Sequence, residues 1–332
     1  MSLRLLQVEL AGRKRAVVAL EESRRAVRLD GIASTYELAG AALAEGVSLE
    51  EAARRRMTAE AVDVSGATPA ARLLPPIDHP DPAHLYLTGT GLTHLGSAES
   101  RDKMHALAAT GGAQTDSMRV FLEGLQGGKP PAGTIGAQPE WFYKGDGSSI
   151  VPTGAQLEAP AFALDGGEEP EIAGVYLIDP RGLPVRLGFC LANEFSDHVT
   201  ERHNYLWLAH SKLRQAALGP ELRLGALPAD VRGTSRVYRG DRLIWEKPFL
   251  TGEANMSHTI ANLEHHHFKY ANFRRPGDVH VHFFGTATLS FADAVRCEPG
   301  DLFDISADAF LLPVRNRLAR GTDASFVPVR PL

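Results

Sequence analysis

Glu169 and Glu171 stand two residues apart in the run GGEEPEIAGVYLI, and Glu194 closes the next apolar run, VRLGFCLANE. If the first run is a β-strand, its two-residue side-chain period turns Glu169 and Glu171 to the same face. Asp179-Pro180-Arg181-Gly182 between the runs has the composition of a tight turn. The second run then folds back antiparallel and carries Glu194 toward the pair. Three converging carboxylates suit a hard, oxygen-liganded divalent cation, Mg²⁺ first, with Mn²⁺ and Ca²⁺ accepting the same set. The remaining coordination positions stay open to water and substrate oxygens. A bare Glu-x-Glu more often marks a solvated strand end. Glu194 shifts the balance, because a lone carboxylate in an apolar strand costs on the order of several kcal/mol unless a cation neutralises it.

His258, His265, His266, His267, His280 and His282 raise the idea of a zinc site. Consecutive histidines on a helix point about 100° apart and cannot all face one ion, so packing or an interface is the expected use. The two cysteines, Cys190 and Cys297, lie outside any Cys-x-x-Cys pattern, which leaves neither a disulfide framework nor a thiolate metal site.

These residues must be positioned by a β-rich scaffold. Short strand-like runs over residues 3–28 predict a small antiparallel meander, followed by a helix at TYELAGAALAE and a second helix that Ser48 caps. Pro75, Pro76, Pro80 and Pro82 stiffen a linker, so a small N-terminal α/β domain is expected over residues 1–75 and a larger domain over 76–332. The larger part reads as strands at HLYLTG, PEWFYKG, EIAGVYLI, VRLGFCLANEF, RVYRGDRLIWEKPF, DVHVHFFGTATL and DLFDISADAF. Turns are expected at 179–182, Arg239-Gly240-Asp241 and Pro299-Gly300-Asp301, and helical patches at SAESRDKMHALAA and MSHTIANLEHHHFKYA. The class is α+β and β-dominated.

With 332 residues, 44% hydrophobic and 23% charged, the chain has ordinary globular balance. A formal net charge of −5 and the lack of a long Lys/Arg block exclude a nucleic-acid partner. No apolar stretch approaches the ~20 residues that span a bilayer. The opening MSLRLLQVELAGRKRA lacks the apolar core and cleavage site of a signal peptide, so a cytoplasmic protein with no membrane partner is expected.

The runs EPEIAGVYLI, GFCLANEFS, LAHSK and FFGTAT, followed by PGD, resemble in order the fumarylacetoacetate hydrolase superfamily over about residues 84–312. The resemblance implies a mixed β-sandwich roll of the fumarylacetoacetase C-terminal type and makes Glu169, Glu171 and Glu194 the metal ligands. The third ligand is usually Asp, so Glu194 is a departure. The segment WFYKGDGSS implies Lys144 and Ser148 near the substrate, Lys212 corresponds to the active-site lysine, and Gly285-Thr286 to the turn that faces the substrate carboxylate. His94 corresponds to the histidine that family hydrolases pair with a glutamate three residues on. Here Ser97 holds that place and the nearest glutamate is Glu99. Ser196-Asp197-His198 also departs from the family's Ser/Thr-x-Arg-Asp pattern.

The resemblance implies bidentate capture of a 2-keto acid by the cation, which acidifies the C3 protons. The missing glutamate at position 97 favours dehydration over hydrolysis. The expected enzyme is a lyase of the sugar-acid branch that converts a 2-keto-3-deoxy pentonate to 2,5-dioxopentanoate, with Lys212 as base and His94 or Glu99 as acid. The alternative is a hydrolase cleaving the C–C bond of a 2,4-diketo acid or acylpyruvate. A ligand-binding protein without catalysis is a third class, disfavoured by the intact ligand set. Family members pair through their β-rich domains, which implies a homodimer.

Overall fold

The computed structural model describes residues 2–64, 71–95 and 116–332. In chain order it runs β1 (Arg4–Leu10), β2 (Lys14–Leu20), β3 (Ala26–Leu29), α1 (Thr35–Glu45), α2 (Leu49–Arg56), β4 (Met57–Ala61), β5 (Ala71–Leu73) and β6 (Leu85–Gly89). There follow α3 (Asp116–Gly127), β7 (Phe142–Asp146), β8 (Ile150–Pro152), β9 (Gln156–Ala159), β10 (Pro170–Ile178), β11 (Pro184–Asn193), α4 (His198–His203) and α5 (Leu208–Lys212). The last are β12 (Ala216–Leu218), β13 (Glu221–Arg223), β14 (Val231–Arg239), β15 (Arg242–Thr251), α6 (Ile260–Phe268), β16 (Val279–Phe283), β17 (Leu302–Ala307) and β18 (Val314–Arg320).

Two mixed sheets dominate, as expected for a β-rich α+β chain. The larger has the path β4-β3-β2-β1-β13-β11-β10-β16-β6-β7, and the smaller the path β15-β14-β17-β18-β9. Strands β10 and β11 are central, and their two faces feed two cores. Ile172, Phe189 and Leu191 meet Phe249, Phe303 and Ile305 of the smaller sheet. Ala173, Val175, Cys190 and Ala192 point the other way, into a core that includes Leu38 of α1 and Ala52 of α2. The expected turn at 179–182 joins β10 to β11: Asp179 Oδ1 accepts from the backbone N–H of Arg181 at 2.8 Å and of Leu183 at 2.9 Å. Gly182 takes the left-handed φ of 79° that this turn needs and a side chain would resist.

Helix ends follow their caps. Ser34, Ser48 and Thr259 each accept a backbone N–H of the first turn of α1, α2 and α6. The helix expected at SAESRDKMHALAA lies outside the described residues. The boundary expected at residue 75 falls between β5 and β6, yet the sheet is continuous across the two parts. β1 pairs antiparallel with β13, so the N-terminal strands form one end of the large sheet. Among the described residues no helix is long and apolar enough to cross a membrane.

Candidate metal centre and its cavity

Glu169 immediately precedes β10 and Glu194 immediately follows β11. In the antiparallel register Pro170 faces Asn193 and Glu171 faces Ala192, and the Glu194 N–H donates to the Glu169 carbonyl at 2.9 Å. Opposed residues share a face, as do residues two apart. All three carboxylates therefore stand on the face that carries Val175 and Ala192 into the core. One oxygen from each lies within 4.8 Å of the others, and all three residues are buried. That donor set and spacing fit an oxygen-liganded divalent cation.

Two lysines and a histidine supply positive charge. Lys212, at the end of α5, donates to Glu169 Oε1 at 2.6 Å, Glu194 Oε2 at 2.9 Å and Ser196 Oγ at 3.1 Å. Lys144, from β7, has no exposed surface; its ammonium reaches Glu194 Oε1 at 2.7 Å and donates to the carbonyls of Phe195 at 2.6 Å and Lys212 at 3.0 Å. Those contacts engage all three of its N–H bonds. Lys144 thus braces the centre instead of presenting a free donor to substrate. His198 bridges Glu169 Oε1, 2.9 Å from Nε2, and Asp165 Oδ2, 3.3 Å from Nδ1.

Glu171 is left with the backbone N–H of Gly285 at 2.7 Å as its hydrogen-bond partner among the described residues. The electrostatics follow from that asymmetry. Burial would raise Glu169, but Lys212 and His198 outweigh it and hold the carboxyl well below its ordinary range. Burial, reinforced by Glu194 and Glu169, drives Glu171 well above it. Burial would lower Lys212, but Glu169 and Glu194 hold its ammonium well above the usual value. Burial would likewise lower His198, yet its bonds to Asp165 and Glu169 push it up to about 9.

The cluster closes one end of a cavity of about 350 Å³. Lys212, His198, Gly285 and Thr286 line it beside the three glutamates, with Phe142, Leu289 and Phe291 as apolar walls. Gly285 has a φ of 95°, and a Cβ there would overlap Thr93 Oγ1, so this turn requires glycine. Its N–H orients Glu171, while Thr286 Oγ1 accepts from the Thr288 N–H at 3.2 Å and keeps its own proton free for the cavity.

Other expected residues stand elsewhere. His94 is 4% exposed and outside the lining; its Nδ1 is 3.0 Å from Thr93 Oγ1, its Nε2 is 2.8 Å from Thr251 Oγ1, and burial pushes it down to about 3. Ser148 sits in an exposed turn, donating its hydroxyl and N–H to Asp146 Oδ1. Glu99 and Ser97 lie outside the described residues. The histidine-rich run packs: His267 Nε2 is 3.0 Å from His280 Nδ1, and Trp141 donates to His267 at 3.2 Å.

The cavity also contains residues that the sequence reading passed over. Glu140, two residues before β7, lines it together with Glu201, Arg202 and Tyr205. Burial pushes Glu140 up to about 7; Lys212 opposes the rise, and Glu201, Glu169 and Glu194 add to it. Tyr205 donates its hydroxyl to Glu140. A signal was present, because Glu140, Phe142 and Lys144 follow the same two-residue period as the metal-strand pair.

No protein-family model matches the chain, and no curated protein matches it. Solved structures do. A 2-keto-3-deoxy-D-arabinonate dehydratase in its apo form is 18% identical, with a TM-score of 0.69 over 96% of this chain and 100% of that one. The same dehydratase complexed with magnesium and 2,5-dioxopentanoate is 17% identical, also at 0.69 over 96% and 100%. A 5-carboxymethyl-2-hydroxymuconate delta-isomerase from Mycobacterium smegmatis is 18% identical, with a TM-score of 0.58 over 96% and 100%. The chain shares the fold of these solved structures, in keeping with the resemblance carried by its motifs.

Proposed function

We propose that this protein is a divalent-cation-dependent hydro-lyase that removes water from a 2-keto-3-deoxy sugar acid, a pentonate such as 2-keto-3-deoxy-arabinonate, to give 2,5-dioxopentanoate. The observation that carries this proposal is one cavity shared by the Glu169, Glu171 and Glu194 cluster and by Glu140, a carboxyl whose pKa is pushed up to about 7. A cation in the cluster, Mg²⁺ on the precedent of the dehydratase complex, would polarise the keto group of a 2-keto acid and acidify its C3 protons.

The remaining work belongs to side chains. The Thr286 hydroxyl donates to the substrate carboxylate. Ionised Glu140 takes a proton from C3 and returns it to the C4 hydroxyl, which departs as water; a carboxyl that burial raises above its ordinary range suits both transfers. The C3–C4 double bond forms as the C4–O bond breaks, and tautomerisation completes the product. Glu140 replaces Lys212 as the expected base, because Lys212 is held protonated between two carboxylates. Its ammonium instead offsets negative charge growing on the substrate oxygens. Hydrolysis is disfavoured because His94, the expected water activator, has both ring nitrogens engaged outside the cavity lining.

An NMR time course with the purified protein, Mg²⁺ and 2-keto-3-deoxy-arabinonate tests this. Formation of 2,5-dioxopentanoate, abolished by a chelator and cut at least about 100-fold in Glu140→Gln with Mg²⁺ binding retained, is expected. Consumption of an acylpyruvate alone would overturn the proposal in favour of hydrolysis. A cytoplasmic homodimer belongs to the same proposal, and sedimentation of the purified chain checks its dimeric part.

A further inference from the structure

Tyr205 belongs to a single 3₁₀ turn, Tyr205–Trp207, between α4 and α5, where the neighbouring Leu206 is 88% exposed. Asn204 accepts the Leu206 N–H at 3.1 Å, and the Trp207 ring stacks on His203 at 5.1 Å. These contacts fix an outer segment whose phenol nonetheless turns inward. Its hydroxyl donates to Glu140 Oε1, and both residues line the cavity. The other side of Glu140 is set by Gly91, where a Cβ would overlap Glu140 Oε2 and lie 3.0 Å from its Cδ. A glycine at that position is therefore what gives the carboxylate its room.

We propose that Tyr205 is a positioning residue, which holds the Glu140 carboxylate against Gly91 in the orientation from which it reaches the reacting carbons. The assignment rests on the proton-transfer role given to Glu140 above. A surface Tyr–Glu contact is ordinarily worth little. Here the acceptor is half-buried at the cavity wall, so the bond favours the ionised form over the neutral one. The charged groups that act most strongly on Glu140 are Lys212 from α5, Glu201 from α4, and Glu169 and Glu194 beside the central strands, while His198, Arg202 and Glu171 share the lining of the same cavity. Lys212 is the strongest charge favouring ionisation, and the Tyr205 hydroxyl is a neutral donor in direct contact with the carboxylate.

Removing the donor by Tyr205→Phe keeps the ring and takes away one hydrogen bond to a charged group, an effect of about one pH unit on the Glu140 midpoint. The test uses the full chain with Mg²⁺, labelled with ¹³C at glutamate carboxyls, and Glu140→Gln to identify the resonance. The expected result is a Glu140 midpoint about one unit higher in Tyr205→Phe, with KM unchanged within about twofold. At a pH below both midpoints kcat falls at least about tenfold, and a smaller loss persists at high pH, where both carboxyls are ionised and only the wild type's is held in orientation. An unmoved midpoint overturns the proposal. The titration needs no turnover, so a chain that dehydrates no keto acid would defeat the proposed function without deciding the carboxyl measurement. An active dehydratase with an unmoved midpoint would defeat the role of Tyr205 alone.

Discussion

Glu171→Gln should make the metal-free protein more stable while depriving it of its metal. Lys212 reaches Glu169 and Glu194, Lys144 reaches Glu194, and His198 reaches Glu169, whereas Glu171 meets the Gly285 N–H. The amide keeps an oxygen for that N–H and removes a buried charge beside two others. Relief of one uncompensated buried charge is worth about 1–3 kcal/mol. The sign with pH follows from linkage. Burial and the neighbouring glutamates raise the folded-state pKa of Glu171 above its unfolded value. Its contribution to stability is fully present below the ordinary carboxylate range and is lost as pH rises through the folded value. The variant's advantage should therefore open as pH rises and vanish in acid. Excess Mg²⁺ should reverse the order, because ligand binding adds about 2.7 kcal/mol at a hundred times Kd to the wild type and little to the variant. Urea midpoints at several pH values, in chelator and in Mg²⁺, measure both halves. A variant less stable than wild type in chelator at pH 8, or stabilised equally by Mg²⁺, would refute the reasoning.

Lys144→Met should destabilise the fold by about 3–5 kcal/mol, since it strips a buried partner from Glu194 and leaves the Phe195 and Lys212 carbonyls without their donor; a urea-measured loss under about 1 kcal/mol would show that Lys144 is not a brace. His94→Gln should cost about 1–3 kcal/mol through its contacts with Thr93 and Thr251. Its kcat should change by no more than about threefold, and a loss near 100-fold would restore His94 to the chemistry. Burial pushes His267 well down and His280 and His282 down to about 3, below their unfolded values, so the stability they contribute is present above about pH 6.5 and is lost as pH falls. His282→Asn should flatten the acid loss of the urea-measured unfolding free energy by about 1.4 kcal/mol per pH unit, and unchanged slopes would count against a buried neutral imidazole there.

What was legible in the sequence was what one hairpin encodes. The period of two relates Glu169 to Glu171, and a turn of Asp, Pro and Gly returns the chain with Glu194 opposite Glu169, so the carboxylate cluster is a consequence of residues 169–194 alone. The cap at Ser48 is local in the same sense, as is the angular spacing that keeps three adjacent histidines from sharing an ion. Pairings between distant segments were not legible. β1 joins β13 across more than half of the chain, which is why an N-terminal unit with its own turns and helices reads as separate yet shares one sheet. His94 is engaged by Thr251, 157 residues on, and no local pattern announces that contact.

Lys144 and Glu140 lie between these cases. The strand period places Glu140, Phe142 and Lys144 on one side, so marking one of them as a site residue implies the others. The partners farther along the chain are what separate the two. Lys144 is surrounded by Glu194, Phe195 and Lys212, which engage every donor it has, whereas Glu140 is met by one phenol and the lining of a cavity. A charged side chain with every hydrogen bond satisfied holds a site together, and one with spare capacity and a pKa near neutrality can exchange protons there. That difference in unsatisfied valence, and not the spacing, is the ground on which the proposed function gives structure to the lysine and chemistry to the glutamate.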